Sequence, residues 1–326
     1  MKLQNLIYAT MVACAFSACS NDDDPNIPDP ALEMDATLTV AFSSVGNNGS
    51  TLKSLTKADD NQYNTIGKIG IAVFNAGAMS PSMAEGALIS YAEQDNLPGV
   101  DTTACVSVKS GVVKVLVVAN PTADMFKSYN TYAGYLTAIS DASIDENNLL
   151  MSSNAYDITV AKGRNTIATN ASTVFGEDNK GTVAATENIK VYRNVARVEV
   201  PKIIVNPRSG FGKEGQYAKF TLKSIYVSNV RSSVSVFGKA DNFWCPVVNT
   251  GADLITGNTI YGNQGIYSKY IKLFSSENVI DYSGTTAEKT FPDARIFVYD
   301  NSSTSTIVSP KDNATLLVIR GDYEYR

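Results

Sequence analysis

Segments in which apolar and polar residues alternate recur along this chain of 326 residues, and they restrict its fold more than any other feature. In the segment 37–42, Leu38, Val40 and Phe42 share one phase, and smaller or polar residues share the other. A strand turns successive side chains to opposite faces, so this pattern predicts a half-buried strand. Further strand-like segments follow at residues 68–74, 189–200, 220–230, 294–299 and 315–319. The segment 112–118 is apolar on both faces apart from Lys114, which predicts a central strand. The chain is therefore predicted to be all-β.

Helix signals are confined to one segment. Between Met125 and Ile139, apolar residues recur at steps of four and three, which predicts a short helix with one apolar face. We expect Tyr129 and Tyr132 to belong to that core-facing stripe rather than to a binding site. The stretch 152–186 is expected to be rich in loops. Many strands, one short helix and turn-rich connections predict β-sandwich domains.

The segment 189–200 changes phase in its middle. Apolar residues before Asn194 share one phase, and those after it share the other. A switch inside one run indicates either a β-bulge or a crossing between sheets. We therefore place a domain boundary just before this segment, which gives an N-terminal domain over residues 58–185 and a C-terminal domain over residues 186–326.

The N-terminus predicts a lipoprotein signal peptide over residues 1–18. Lys2 precedes an apolar run from Leu6 to Phe16 that is too short to span a membrane. Small residues then lead to Cys19, which resembles the cysteine of a bacterial lipobox. Cleavage before Cys19 and its acylation would tether the chain stably, because several acyl chains are added there. A plain cleaved signal peptide is the alternative.

An acidic run follows the cysteine directly: Asp22, Asp23 and Asp24. This arrangement resembles the surface-export signal of Bacteroidota lipoproteins. A simple spacer is the alternative, since the proline-rich stretch 25–30 is extended by nature. Both interpretations can hold together.

Composition excludes several classes of function. The net charge is −5 and the 27 lysines and arginines form no run, which argues against nucleic-acid binding. Histidine is absent, so Ser-His-Asp and Cys-His catalysis and His-ligated metals are excluded. We expect no catalytic residues, no cofactor and no metal. Cys105 and Cys245 are expected to be buried thiols, with a disulfide between them left open.

Several segments together resemble the fimbrillin family of Bacteroidota, the FimA-like major fimbrial subunits. The resemblance rests on the lipobox with its acidic tail and on an ordered set of segments: ATLTVAFSS, LTKADD, KIGIAVFNAG, VVKVLVVANP, LLMSSNA, VYRNVARVEV, FTLKSIYVSNV, RIFVYDNSS and ATLLVIRGDY. It implies two transthyretin-like β-sandwich domains with one short helix, the second domain being incomplete. It also implies a non-enzymatic structural protein.

The resemblance further implies assembly by donor-strand exchange. Residues 19–57 would form a propeptide that carries the lipid and the first strand, with Leu38, Val40 and Phe42 as the inward residues of a removable plug strand. A protease would cut behind this strand, and a strand of a neighbouring subunit would replace it. Residues 36–43, about 26 Å long as a strand, would run along a sandwich edge.

The chain departs from the family where the cut is expected. The family's cut usually follows an arginine, whereas the first arginine here is Arg164. Lys57, and after it Lys53, are the available positions. The family also continues beyond the segment ATLLVIRGDY, so we expect a truncated second domain.

Two readings of the function remain open. The first is a shaft subunit of a surface fimbrium whose partners are copies of itself and accessory tip or anchor subunits. The second is a fimbrial anchor, tip or other adhesive lipoprotein that keeps its lipid and contacts host surface ligands. Both place the chain at the outer membrane and cell surface, and both involve the membrane through the lipid on the precursor.

Overall fold

The computed structural model describes residues 33–44, 66–77, 83–95, 103–140, 146–168, 181–186, 189–205, 218–237, 254–281, 287–299 and 315–325. These residues form two compact units. The first unit comprises the described residues up to Asn194 and those within Ser235–Cys245, and the second comprises the described residues within Val195–Val234 and from Pro246 onwards. The strands dominate both units, which confirms the all-β prediction.

The first unit contains eleven strands and one helical turn. They are β1 (Ala36–Ser44), β2 (Lys68–Asn75), β3 (Leu88–Asp95), β4 (Thr103–Val108), β5 (Gly111–Ala119), α1 (Tyr132–Tyr135), β6 (Ile139–Ser140), β7 (Met151–Ser153), β8 (Tyr156–Val160), β9 (Gly163–Ile167), β10 (Thr182–Ala185) and β11 (Ile189–Arg193).

The strands of the first unit enclose one main core. On one side β1 lies between β4 and β9, and β10 pairs with β9. On the other side β3, β2 and β5 are neighbours, and β5 also pairs with β7 and β8. Leu38 from β1, Val106 from β4 and Val117 from β5 belong to the same buried cluster. Apolar residues that alternate on each strand therefore meet between the layers.

The central position of β5 explains its continuous apolar sequence. Val115 and Val117 face the main core, whereas Leu116 and Val118 face a second cluster on the opposite side. That second cluster includes Phe126 and Tyr135, whose rings stack with centroids 4.8 Å apart. A strand covered on both faces needs no polar alternation.

The predicted helix over residues 125–139 is wrong in its extent. Only Tyr132–Tyr135 is helical, and Ile139 already belongs to β6. The Thr131 side chain accepts a hydrogen bond from the Gly134 amide, and the Thr137 hydroxyl donates to the Gly134 carbonyl, so local side-chain bonds close a single turn. Tyr129 and Tyr132 pack against the second cluster, as expected for core residues.

Among the described residues of the stretch 152–186, most belong to strands, including β8, β9 and β10, which corrects the expectation of a loop-rich stretch there. In β9 the buried Asn165 donates to the carbonyls of Ala161 and Gly163, at 2.6 and 2.9 Å, and accepts from the Ala161 amide. Asn165 is thus buried because its side chain is hydrogen-bonded within a tight turn, so β9 lacks the apolar alternation from which a strand is predicted.

The second unit contains β12 (Val195–Glu199), β13 (Lys202–Val205), β14 (Ala218–Ser228), β15 (Val230–Arg231), β17 (Leu254–Ile255), α2 (Gly257–Gly262), β18 (Ile271–Leu273), β19 (Val279–Asp281), β20 (Ala287–Thr290), β21 (Arg295–Tyr299) and β22 (Leu316–Tyr325). The short β16 (Val234–Ser235) straddles the division between the units, and a 3-10 turn covers Ser268–Tyr270. The helix α2 was not predicted, because it has only six residues, begins and ends with a glycine, and buries only Ile260.

The phase switch near Asn194 is a crossing between sheets. β11, before it, pairs with β1 and β7, whereas β12, after it, pairs with β21 in the second unit. The division between the units falls after Asn194, inside the run 189–200 rather than before it. In the second unit β14 is central, with β18 and β19 along one edge and β22 along the other.

Candidate functional site

The first strand occupies an interior slot of the first unit. β1 runs antiparallel to β4 over Ala36–Ala41 and parallel to β9 over Ala36–Val40. Its last residues, Phe42–Ser44, pair in parallel with β11. Both backbone edges of β1 are thus hydrogen-bonded, which corrects the expectation that this strand runs along a sandwich edge. Alternation reports which face of a strand is buried but not which strands become its neighbours.

The inward residues of β1 are fully enclosed. Leu38 and Val40 are 0% exposed, and Ala36 is 6% exposed. Their burial confirms the predicted phase, and each of the two larger side chains contributes about 1.5–3 kcal/mol. The backbone of Phe42 pairs with Ile189, but its side chain lies outside the described residues. The role of Leu38, Val40 and Phe42 in assembly stays a prediction.

A carboxylate anchors the start of β1. Asp35 directly precedes the strand, and its Oδ1 accepts a hydrogen bond from the Ser110 amide at 2.7 Å. Its Oδ2 accepts from the Ser110 hydroxyl at 2.9 Å. The Asp35 carbonyl also accepts from the amide of Gly163 at 3.0 Å. Gly163 has φ +87°, a conformation that favours glycine, so the turn before β9 can bring its amide to this point.

Two lysines add positive charge to the same carboxylate. The Nζ atoms of Lys109 and Lys162 lie 3.5 and 3.9 Å from Oδ2 of Asp35. Burial opposes ionisation of Asp35, but the Ser110 amide, the Ser110 hydroxyl and the Lys109 ammonium together hold its pKa below the usual value. Asp35 is therefore a carboxylate at neutral pH, and its side chain is only 18% exposed.

These features suit the holding of an extended segment rather than catalysis. The described residues contain no group of three or more acidic or cysteine side chains that could hold a metal. Beside Asp35 lies a shallow depression lined by residues of β1, β4 and β9, including Arg164.

None of the helices in the described part of the chain is long and apolar enough to cross a membrane.

The second unit presents a different kind of strand. β22 pairs antiparallel with β14 from Leu316 to Tyr325, and no other described strand pairs with it. Leu316 and Leu317 are each 47% exposed, and Ile319 is 43% exposed. Val318, which lies between them, is half-buried.

The remaining predicted site residues all lie outside the described residues. These are Cys19, Asp22, Asp23, Asp24, Lys53 and Lys57. Lipidation, export and propeptide cleavage at these positions stay predictions. Cys105 is buried on β4, as expected, but Cys245 also lies outside the described residues.

Sequence reasoning missed the anchor. Asp35 and Ser110 are 75 positions apart, and neither belongs to a motif. The only available signal was the place of Asp35 immediately before a strongly alternating strand. A short polar side chain there can bond the end of a neighbouring hairpin, but the partner depends on strand order.

A family comparison covers the first unit. Residues 36–193 match the model of a family described as "Major fimbrial subunit protein (FimA)". The match begins at the first residue of β1 and ends at the last residue of β11. No curated protein matches the sequence.

Two crystal structures from Parabacteroides distasonis, both described as candidate cell adhesion proteins, are similar in fold. The first, at 2.34 Å resolution, has 16% identity and a TM-score of 0.60 over 90% of this chain and 76% of its own. The second, at 2.05 Å, has 17% identity and a TM-score of 0.61 over 89% of this chain and 78% of its own. At these identities the likeness concerns the fold.

Proposed function

We propose that this chain is a structural subunit of a surface fimbrium that assembles by donor-strand exchange at the slot of β1, because residues 36–193 match the FimA major fimbrial subunit family. A major fimbrial subunit is a structural protein and not an enzyme. Its partners are other fimbrial subunits. The proposed strand to be replaced is β1 itself.

The interior position of β1 is the observation that carries this proposal. Withdrawal of β1 would leave the edges of β4 and β9 unpaired and face to face, with an apolar trough between them where Leu38 and Val40 had been. Buried backbone groups without partners are costly, so the slot strongly favours a new strand. A strand from another subunit can supply the same main-chain hydrogen bonds and alternate side chains.

Export and activation follow from the N-terminal sequence in this proposal. Cys19 receives lipid, and Asp22, Asp23 and Asp24 direct the precursor through the outer membrane to the cell surface. Cleavage after Lys57, or after Lys53, then separates β1 and its lipid from the rest of the chain. Cleavage alone does not eject β1, because its hydrogen bonds and buried side chains persist until another strand displaces it.

A second candidate function is an anchor, tip or other adhesive lipoprotein that contacts host surface ligands. It is favoured by the absence of arginine before Arg164, since the family's cut usually follows an arginine. Such a protein keeps β1 in its slot and keeps its lipid.

The test replaces both candidate cleavage residues in cells. A Lys53→Ala, Lys57→Ala double variant is expected to remain monomeric and membrane-bound, whereas the parent forms oligomer ladders in electrophoresis of unheated samples. The matched control is Lys127→Ala with Lys190→Ala, two exposed lysines of the first unit, which should polymerise like the parent. Polymers released by the first double variant would contradict activation at these lysines. A parent that stays monomeric and lipidated would favour the anchor or tip role.

A further inference from the structure

We propose that the slot of β1 contains a carboxylate subsite that selects the incoming strand and fixes its register. The subsite consists of the Ser110 amide and hydroxyl with the ammonium groups of Lys109 and Lys162. Its ligand is an aspartate side chain placed just before the first inward residue of a strand. This inference rests on the proposed strand exchange, and it adds a chemical requirement for the strand that enters.

The subsite belongs to the slot and not to the strand that now fills it. Lys109 and Ser110 lie in the turn between β4 and β5, and Lys162 lies in the turn between β8 and β9. All three stay with the folded unit when β1 leaves. Asp35 is thus the ligand of a site built by two turns at one end of the slot.

Departure of Asp35 would leave that site with unbalanced positive charge. Lys109 and Lys162 approach the same carboxylate oxygen, at 3.5 and 3.9 Å. The Ser110 amide and hydroxyl would lose their acceptor as well. A strand that brings a carboxylate restores charge balance and both hydrogen bonds, whereas one that brings an amide restores less, because hydrogen bonds to ionised groups are the stronger ones.

The carboxylate also solves a register problem. Apolar alternation has a period of two residues, so a strand that slips by two residues still presents apolar side chains inward. The same slip moves every atom by about 7 Å along the slot, which is well beyond hydrogen-bond reach. Asp35, Ala36, Leu38 and Val40 therefore define a pattern: an acid, then inward residues one, three and five positions later.

The experiment uses the full chain with one specific protease site inserted between Lys53 and Lys57. After cleavage, the protein is incubated with a fluorescent peptide of residues 33–44 or with the same peptide carrying Asp35→Asn. We expect the parent peptide to be retained about tenfold longer at pH 7. The difference should shrink in chains carrying Ser110→Ala with Lys109→Ala, which lose the hydroxyl and one ammonium but keep the backbone amide at position 110 and Lys162. It should persist with Lys114→Ala, a β5 lysine that pairs with Asp157.

The outcomes separate this inference from the function it rests on. Equal retention of the two peptides would overturn the subsite and leave strand replacement standing. Failure of both peptides to enter would show that β1 is not replaceable, and the subsite would fall with the proposed function. A second measurement needs no cleavage: hydrogen exchange of β1 amides in the uncut chain should be about tenfold faster with Asp35→Asn and unchanged with Asp157→Asn. Unchanged exchange with Asp35→Asn would also overturn the subsite.

Discussion

Truncation of Leu38 gives the sharpest test of how firmly the first strand is held. Its side chain is 0% exposed and lies in the main core with Val106 and Val117. Because the neighbours come from hydrogen-bonded strands on both sides of the core, they can close around a deleted side chain only in part. We therefore expect Leu38→Ala to lower the free energy of unfolding of the first unit by about 3–5 kcal/mol, as for enclosed leucines in general.

A loss of this size is large beside the total stability of an ordinary domain, about 5–15 kcal/mol. The substitution should also allow β1 to detach while the rest of the unit stays folded, so that β1 amides exchange hydrogen by local opening rather than by global unfolding. The first assay is urea denaturation of the full chain, and the second is hydrogen exchange resolved on peptides that cover β1 and β14. Exchange in β14 should not change, since β14 belongs to the second unit.

The control is Thr39→Ala, one position away in the same strand. Thr39 has the opposite phase and is half-buried, so its truncation should cost less than about 1 kcal/mol. If Leu38→Ala costs no more than Thr39→Ala, β1 does not pack into the core as described. The argument for a slot that needs refilling would then lose its basis.

Three other substitutions test separate features. Because the pKa of Asp35 is lowered in the folded chain, its contribution to stability is present above about pH 4 and is lost as pH falls through the folded pKa. The Asp35→Asn variant should therefore lose less stability than the parent between pH 7 and pH 3, measured by thermal unfolding. An equal loss in both proteins would contradict the anchor. A Cβ on Gly321 would lie 2.5 Å from the carbonyl oxygen of Thr221, so Gly321→Ala should lower the free energy of unfolding of the second unit by about 1–3 kcal/mol. The control is Gly265→Ala, whose Cβ would have no atom within 4 Å and which should be nearly neutral. Urea denaturation measures both. Labelled palmitate should enter the precursor and not its Cys19→Ala variant, and equal labelling would contradict the lipobox.

Local pattern was enough to predict the strands that carry regular apolar alternation. β1 and β2 follow it, and the phase change at Asn194 marks the passage from one sheet to another. These predictions succeed because facing is a property of neighbouring residues: a side chain two positions along a strand returns to the same face. The absence of histidine likewise removed whole classes of chemistry without any reference to structure.

Tertiary structure alone decided the neighbours of each strand. The placement of β1 between β4 and β9, and the contact of Asp35 with Ser110, join residues many positions apart, and alternation carries no information about such pairs. β9 escaped prediction because Asn165 is buried by satisfying a turn rather than by being apolar. The physical reason is common to these cases. The local apolar pattern predicts which face of a segment is buried, whereas the packing of the whole unit determines which strand lies beside it.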